Sequence, residues 1–470
     1  MLPMFLAMVD STIVTTALSQ IAADLGGVER IPWIIVSYLI SAAIVTPVYG
    51  RLGDVLGRRR LMAVALVIAM LGTVLCSMAQ SMEMLIFSRM LHGLGSGGLM
   101  TLSQALIGQA VPPHDRARYQ GYLAGVAVCA SAFGPVAGGF LTEHFGWRSI
   151  FLVNIPLILL AIGLVFRLPP RSTPREPFRF DFFGLLLFAA FISALLMLLE
   201  QLRRWNNIEP WLLICLLGII ASTFPLLLWQ ERRVKHPLLP IPLLSNPTIW
   251  RSDVLAMCHG GLFVSMLTFV PIYFSTVRGM SAAEMGLLLL PTTMGVGVGS
   301  ILTGQIVSRT HRTAIMPSIG LIFTTLLLLG LALTIDQMES HTVGLAFGLV
   351  SLTLGTVMGV VQVSVQSEAT PGMIGIAAAS VQLSRSVGAA IGTALAGSLL
   401  FALVSASGLV DAATLQAILQ GGTSLSAMDA AKVAALRAEI SGSYRYVFLL
   451  LALYGALGCF MAWSLPRRHV

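Results

Sequence analysis

Charge is what this sequence has least of. Charged side chains make up 10% of its 470 residues, where a soluble globular chain carries about 25%. That scarcity, with 56% hydrophobic residues and a mean hydropathy of +0.88, excludes an ordinary soluble domain. Strict polar/apolar alternation over strand-length segments of roughly 10 residues is also missing, which excludes a transmembrane β-barrel. Only two lysines occur, Lys235 and Lys432, and neither follows a glycine. The GxxxxGK[ST] loop that cradles nucleotide phosphates is therefore absent, and ATP does not drive this chain directly. No His/Cys/acid cluster has metal-ligand spacing, no Gly-x-Ser-x-Gly elbow occurs, and no channel filter motif appears. The five cysteines (Cys76, Cys129, Cys215, Cys258 and Cys459) lie in apolar segments without pairing and read as small buried hydrophobes. The first apolar run has no basic flank and contains an aspartate, so no cleavable signal peptide is expected there. Only nine residues precede Asp10, and the native start is expected further upstream.

What is present in quantity is long apolar segments. A bilayer span takes about 20 such residues. The hydropathy predicts fourteen helical spans at about 1–23, 33–52, 61–80, 82–111, 118–142, 148–167, 181–200, 210–230, 250–275, 283–308, 313–334, 341–366, 375–402 and 443–465. The net charge of +8 sits in the short loops. One set of loops holds Arg58, Arg59 and Arg60; Arg116 and Arg118; Arg167, Arg171, Arg175 and Arg179; Arg232, Arg233 and Lys235; Arg309 and Arg312; and Arg467 and Arg468. The opposite set holds fewer: Arg30, Arg148, Arg203, Arg204 and Arg278, with Lys432, Arg437 and Arg445 near one long loop. Basic residues stay on the cytoplasmic side, so the first set and both termini are expected there. This placement, not nucleic-acid binding, accounts for the basic balance. Residues 168–180 read as a Pro- and Arg-rich cytoplasmic linker, and 403–442 as the longest external loop, either an amphipathic helical hairpin or a plain solvated segment.

Without a nucleotide site, uphill transport must draw on a gradient, and the residues of one loop say more. "GRLGDVLGRRRL" at 50–61 resembles the signature between spans 2 and 3 of the major facilitator superfamily, matching at Gly50, Gly53, Asp54, Gly57, Arg58 and Arg59. A weaker echo, "GQIVSRTHR", has Gly304, Arg309 and Arg312 but Ser308 near the expected acid, as a degenerate second-half repeat would. Further segments resemble the 14-helix drug:proton antiporters of that superfamily. They are "VDSTIVTTALSQIA" (with Thr15, Thr16 and Ser19 departing), "RMLHGLGSGG" (with His92 where glutamine is usual), "GPVAGG" at 134–139, "GWRSIFLVNIPL", "DFFGLLL" and "VGAAIGTALAGSL". Together they run in order from residue 9 to residue 399.

Chemistry and resemblance assign the candidate site. Asp10 reads as the acid set well inside an apolar run. Burial disfavours a carboxylate's charged form, and an ionisable group inside the membrane is functional by default. It is read as a proton- or cation-binding group, with a structural hydrogen bond as the alternative. Arg89 in span 4, by resemblance, shares in proton coupling; otherwise it is a polar bridge. By resemblance Gly50, Gly53, Asp54, Gly57, Arg58 and Arg59 form a gate, Asp54 pairing with an arginine or capping a neighbouring helix. Gly134, Pro135, Gly138 and Gly139 are expected to kink and thin span 5 against its neighbour. Cavity-lining candidates are Gln104, Tyr38, Trp33, Asn154, Phe263, Gln362, Gln382 and Arg385. For the polar ones helix–helix hydrogen bonding is the alternative, for the aromatics interface anchoring, and for Arg385 snorkelling to the surface. Glu200, Asp253, Glu284 and Glu368 read as solvated acids at helix ends.

The expected architecture is an all-α membrane protein of fourteen helices in the major facilitator fold. An N-terminal six-helix bundle spans 1–167, a linker with two extra helices 168–248, and a C-terminal six-helix bundle 249–470. The expected function is proton-coupled efflux of small hydrophobic or cationic compounds from a bacterial inner membrane, without enzyme activity. It needs no cofactor beyond the proton gradient, and its partners are substrate, protons and the bilayer, with no nucleic acid. In a double-membrane bacterium a periplasmic adaptor would complete the path. The alternatives are an exporter of one metabolite, siderophore or lipid, and a transport-inactive sensor or structural partner. Later-span acids typical of members that handle dicationic drugs are missing, which leaves monovalent, neutral and anionic compounds open.

Overall fold

The computed structural model describes residues 1–27, 30–168, 180–203, 209–280, 282–370, 372–408 and 430–465. Among these the regular structure is helical: α1 (Leu2–Ile13), α2 (Leu18–Leu25), α3 (Ile31–Leu56), α4 (Arg58–Ser77), α5 (Met82–Ala110), α6 (Pro113–Phe145), α7 (Ser149–Leu152), α8 (Asn154–Phe166) and α9 (Phe182–Arg203). There follow α10 (Pro210–Arg233), α11 (Ile241–Leu244), α12 (Pro247–Thr276), α13 (Ala282–Thr310), α14 (Ile315–Thr334), α15 (Ser340–Leu354), α16 (Met358–Glu368), α17 (Ile374–Ala406) and α18 (Ala430–Trp463).

Among the described residues, twelve helical segments are long and apolar enough to cross a bilayer, or thirteen if the bent pair α1–α2 counts as one span. Fourteen were expected. The remaining helix, α5, is 29 residues long but carries Arg89, His92, Gln104 and a run of small residues that dilute its hydropathy. Local chemistry explains two departures from the predicted limits. Span 1 is broken: the hydroxyls of Ser11, Thr12, Thr15 and Thr16 all donate back to main-chain carbonyls of the preceding turn. Such back-bonding bends helices, and α1 and α2 meet at 62° around Val14–Thr16. The last span begins before residue 443, because "AAKVAALRAEI" continues α18 without interruption. Residues 409–429 of the expected external segment and 169–179 of the linker lie outside the described residues, and 403–406 continue α17.

Packing follows chain order. One buried cluster draws its residues from Ile249 to Ala462, and two others from Leu6 to Val165. Helix α9 lies against α3 and α17, and α10 against α9. The outer surface is greasy: Phe182, Val136, Leu186 and Ile214 are all exposed. In lipid an apolar side chain gains nothing by turning inward. For the same reason Cys129 and Cys215, expected to be buried, stand on exposed helix faces, while Cys76 and Cys258 are buried.

Candidate functional site

Three polar places lie along α5 in this apolar body. The first surrounds Asp10. Helix α5 starts cleanly, with Ser81 Oγ accepting from Met84 N and Glu83 in its first turn. About three turns on, glycines let it approach its neighbours: a Cβ at Gly93 would lie 2.1 Å from Ser41 Oγ, and one at Gly95 2.3 Å from Ala69 N. Just before these contacts sit Arg89 and His92, both buried. Arg89 stands over the Tyr38 ring at 4.2 Å and donates through Nε to Ile34 O at 3.4 Å. One of its terminal nitrogens lies 3.2 Å from His92 Nδ1. A guanidinium only donates, so Nδ1 accepts and the ring proton belongs on Nε2. That nitrogen faces Asp10 Oδ2 at 2.8 Å, with Thr73 Oγ1 beside it at 3.2 Å. Asn154 Nδ2 donates to Asp10 Oδ1, and Tyr38 Oη donates to Ala7 O at 3.3 Å. The result is a cation and an anion joined through an imidazole, with hydrogen bonds on both carboxylate oxygens. Buried charge is tolerated only when it is paired and bonded in this way.

The second place is the end of the bundle where α3 meets α4. Gly57, at φ 92°, breaks the chain between those helices; that conformation is open to glycine and strained for other residues. Here α3 touches α17: a Cβ on Gly375 would lie 2.4 Å from Gly50 O. Asp54 is buried, and both its oxygens accept from Gly375 N at 2.9 Å, with Ile376 N donating to Oδ2 at 3.2 Å. Asp54 thus caps the free amides at the start of α17. Arg58 donates to Asp54 Oδ1 at 2.5 Å and also to Gln109 Oε1. Gln366 Nε2 donates to Gln104 O at 3.1 Å nearby, and Gly304 of α13 presses on Ala117 of α6. This end is closed. Gly53 abuts Leu102 and Arg58. Arg59 faces elsewhere, donating to Phe166 O at 2.7 Å with its charge near the Phe166 ring.

The third place is a cavity of about 80 Å³ between the two sets of helices. Of the residues expected there, Gln104, Phe263 and Arg385 line it; Met4, Met8, Met100, Met358, Gln120, Ser300 and His259 also do. The other expected lining residues do not. Tyr38 and Asn154 belong to the Asp10 cluster, Trp33 borders a separate cleft with Met197 and Glu200, and Gln362 and Gln382 are buried away from the cavity. Helix α6 runs through Pro135 as one helix. Gly134 and Gly138 fit against Thr12 and Ile13–Thr16, whereas Gly139 has nothing within 4 Å and makes no such contact.

Two signals were passed over in the sequence. His92 was noted only as a departure from glutamine, yet it is the link between Arg89 and Asp10. Asp253 was placed at a helix end, but α12 begins at Pro247, capped by Asn246, so Asp253 lies inside it, half-buried and accepting from Ser380 Oγ at 3.1 Å.

Comparison with known proteins is decisive at the level of family. The profile of the Major Facilitator Superfamily matches residues 1–393. The chain belongs to this superfamily. Its members are transporters, not enzymes. It is 34% identical over 397 residues to an uncharacterized MFS-type transporter of Mycobacterium tuberculosis, covering 83% of this chain and 56% of that one. It thus spans little more than half the length of that relative. It is 29% identical over 401 residues to the multidrug transporter protein MdtP of Bacillus subtilis, covering 84% of this chain and 73% of that protein. The Escherichia coli fucose:proton symporter has the same fold, with a TM-score of 0.62 at 13% identity over 99% of this chain and 97% of that one.

Proposed function

We propose that this superfamily member is a proton-coupled exporter of small hydrophobic compounds, working by alternating access. The observation that carries the reading is the buried Asp10–His92–Arg89 chain, two turns along α5 from the cavity residue Met100. A proton arriving on Asp10 removes the charge that holds His92 and Arg89 together with it. The three groups sit on α1 and α5, which also carry Met8 and Met100, so protonation and the shape of the cavity are linked. The multidrug relative supports efflux as the direction.

In this reading α5 is a fourteenth span and the helices before and after α9–α10 are the two moving bodies. The Asp54 end and both termini face the cytoplasm of a bacterial inner membrane. A cavity of about 80 Å³ is smaller than the 300–1,000 Å³ that drug-sized ligands occupy, so the halves part to admit cargo. Hydrophobic cargo suits the methionine walls. Cationic cargo, expected beforehand, meets no carboxylate among the described lining residues, because Asp10 is turned toward His92 and Asn154.

The test is proton release in everted vesicles energised by respiration. Candidate compounds are added and collapse of the pH gradient is followed, with Asp10→Asn alongside. The reading predicts collapse by several hydrophobic compounds in the native protein and none in the variant. Equal collapse in both removes Asp10 from the mechanism.

A further inference from the structure

Resting on the cavity being the substrate site, we propose that its preferred cargo carries an anionic group, a carboxylate or sulfonate, received by Arg385. Arg385, about a third of the way along α17, lines the cavity and does not snorkel to the surface. Its Nε is buried without a partner, and the contact of its terminal nitrogen is Met100 Sδ at 3.7 Å, a weak acceptor. No aspartate or glutamate is among the described lining residues. An arginine left this way in an apolar interior is costly. The cost is met when a ligand supplies the missing charge, and a planar guanidinium suits a carboxylate's two oxygens.

The neighbours point the same way. His259 has both ring nitrogens buried and unpartnered, and Gln120 Nε2 and Ser300 Oγ are likewise unpartnered. Each can donate a hydrogen bond, and all three residues line the same cavity as Arg385. Met4, Met8 and Met100 line the same cavity with apolar, adaptable side chains. A cavity that combines a cation and several donors with thioethers matches an amphipathic acid, and would repel an amphipathic amine.

The experiment uses the full chain in nanodiscs, with no gradient, and calorimetric titration of three matched probes: 1-naphthoate, 1-naphthamide and 1-naphthylmethylammonium. The expected order is naphthoate at least tenfold tighter than the amide, with the ammonium weakest, as one charged hydrogen-bonded pair provides. Arg385→Gln should erase the naphthoate advantage while amide binding persists, which also reports that the variant is folded; Arg385→Lys should keep part of it. Preference for the ammonium, unchanged naphthoate affinity in Arg385→Gln, or no naphthoate binding by folded protein overturns the proposal. The same probes in proteoliposomes with an imposed pH gradient separate the two readings. Arg385-dependent naphthoate binding without proton exchange leaves the anion site standing and removes proton coupling. Proton exchange driven by the ammonium and indifferent to Arg385→Gln does the reverse.

Discussion

The contact at the Asp54 end lends itself to a quantitative test. Two main-chain amides of α17, Gly375 and Ile376, donate to the Asp54 carboxylate, at 2.9 and 3.2 Å. Arg58 also holds that carboxylate, but it lies only four residues along the chain and travels with Asp54 when the halves separate. The amide bonds, by contrast, cross the seam. A hydrogen bond to a charged acceptor is worth net about 1.5–3 kcal/mol, and deleting an N-cap side chain costs about 0.5–2 kcal/mol. Asp54→Ala should therefore weaken the closed arrangement by about 2 kcal/mol, roughly 30-fold in the closed-to-open ratio. Asn keeps an acceptor oxygen and caps well, so Asp54→Asn should lose about 1 kcal/mol, roughly fivefold. Spin labels at Leu56 and Thr310, both exposed near this end, would read the change by pulsed electron-electron resonance after Cys76, Cys129, Cys215, Cys258 and Cys459 are replaced. The distribution should broaden to longer distances in Asp54→Ala and less so in Asp54→Asn. A native distribution in a folded Asp54→Ala protein would show that Asp54 does not hold this end shut.

Other substitutions discriminate in the same structural terms. Gly375→Ala places a Cβ 2.4 Å from Gly50 O and 2.9 Å from the Asp54 carboxylate, so the same labels should report an opened end with Asp54 intact. Gly138→Ala meets Ile13 O at 2.6 Å while Gly139→Ala meets nothing; thermal unfolding in detergent should show a clear loss for the first and none for the second. Arg59→Ala removes an exposed contact to Phe166 O, and transport should stay within about twofold of native, as surface changes usually do, whereas Arg58→Ala exposes the Asp54 charge and should not.

How far the sequence was legible depended on what each residue had to do. Helices α3, α4 and α17 were readable because bilayer thickness alone demands long apolar runs. Asp54 was readable because an acid between glycines and arginines has few uses in so greasy a chain, and both uses foreseen, the arginine partner and the helix cap, occur together. Polar residues inside spans were less legible. Hydropathy says that Tyr38, Gln104 and Asn154 are embedded, but not which face of the helix they occupy, and that face separates a cavity wall from the Asp10 cluster. His92 resisted for another reason: a lone histidine in an apolar helix has many bland explanations, and its role appears only when α1 brings Asp10 to it from 82 positions away. Asp253 was misplaced because a start signal, Asn246–Pro247, lengthened α12 by one turn beyond its apolar core.

Helix α5 draws these places into one device. Arg89 and His92 hold the Asp10 charge near its start, Met100 and Gln104 face the cavity at its middle, and Gly108 and Gln109 meet Gln366 and Arg58 at its end. At about 1.5 Å per residue, Arg89 and Gln109 stand about 30 Å apart on a single helix. Along that length Gly93, Gly95, Gly97 and Gly98 bring it against α3 and α4 with no room for even a methyl group. Close packing of this kind leaves little slack to absorb a shift locally. On the proposed reading, a change in the Asp10 cluster is therefore passed along α5 as motion of a rod, toward the cavity and the Asp54 end. A proline introduced at Leu94, between the Asp10 cluster and the cavity, breaks that rod. It should uncouple proton release from substrate exchange, and coupling that survives in a folded Leu94→Pro protein would mean the signal travels by another route.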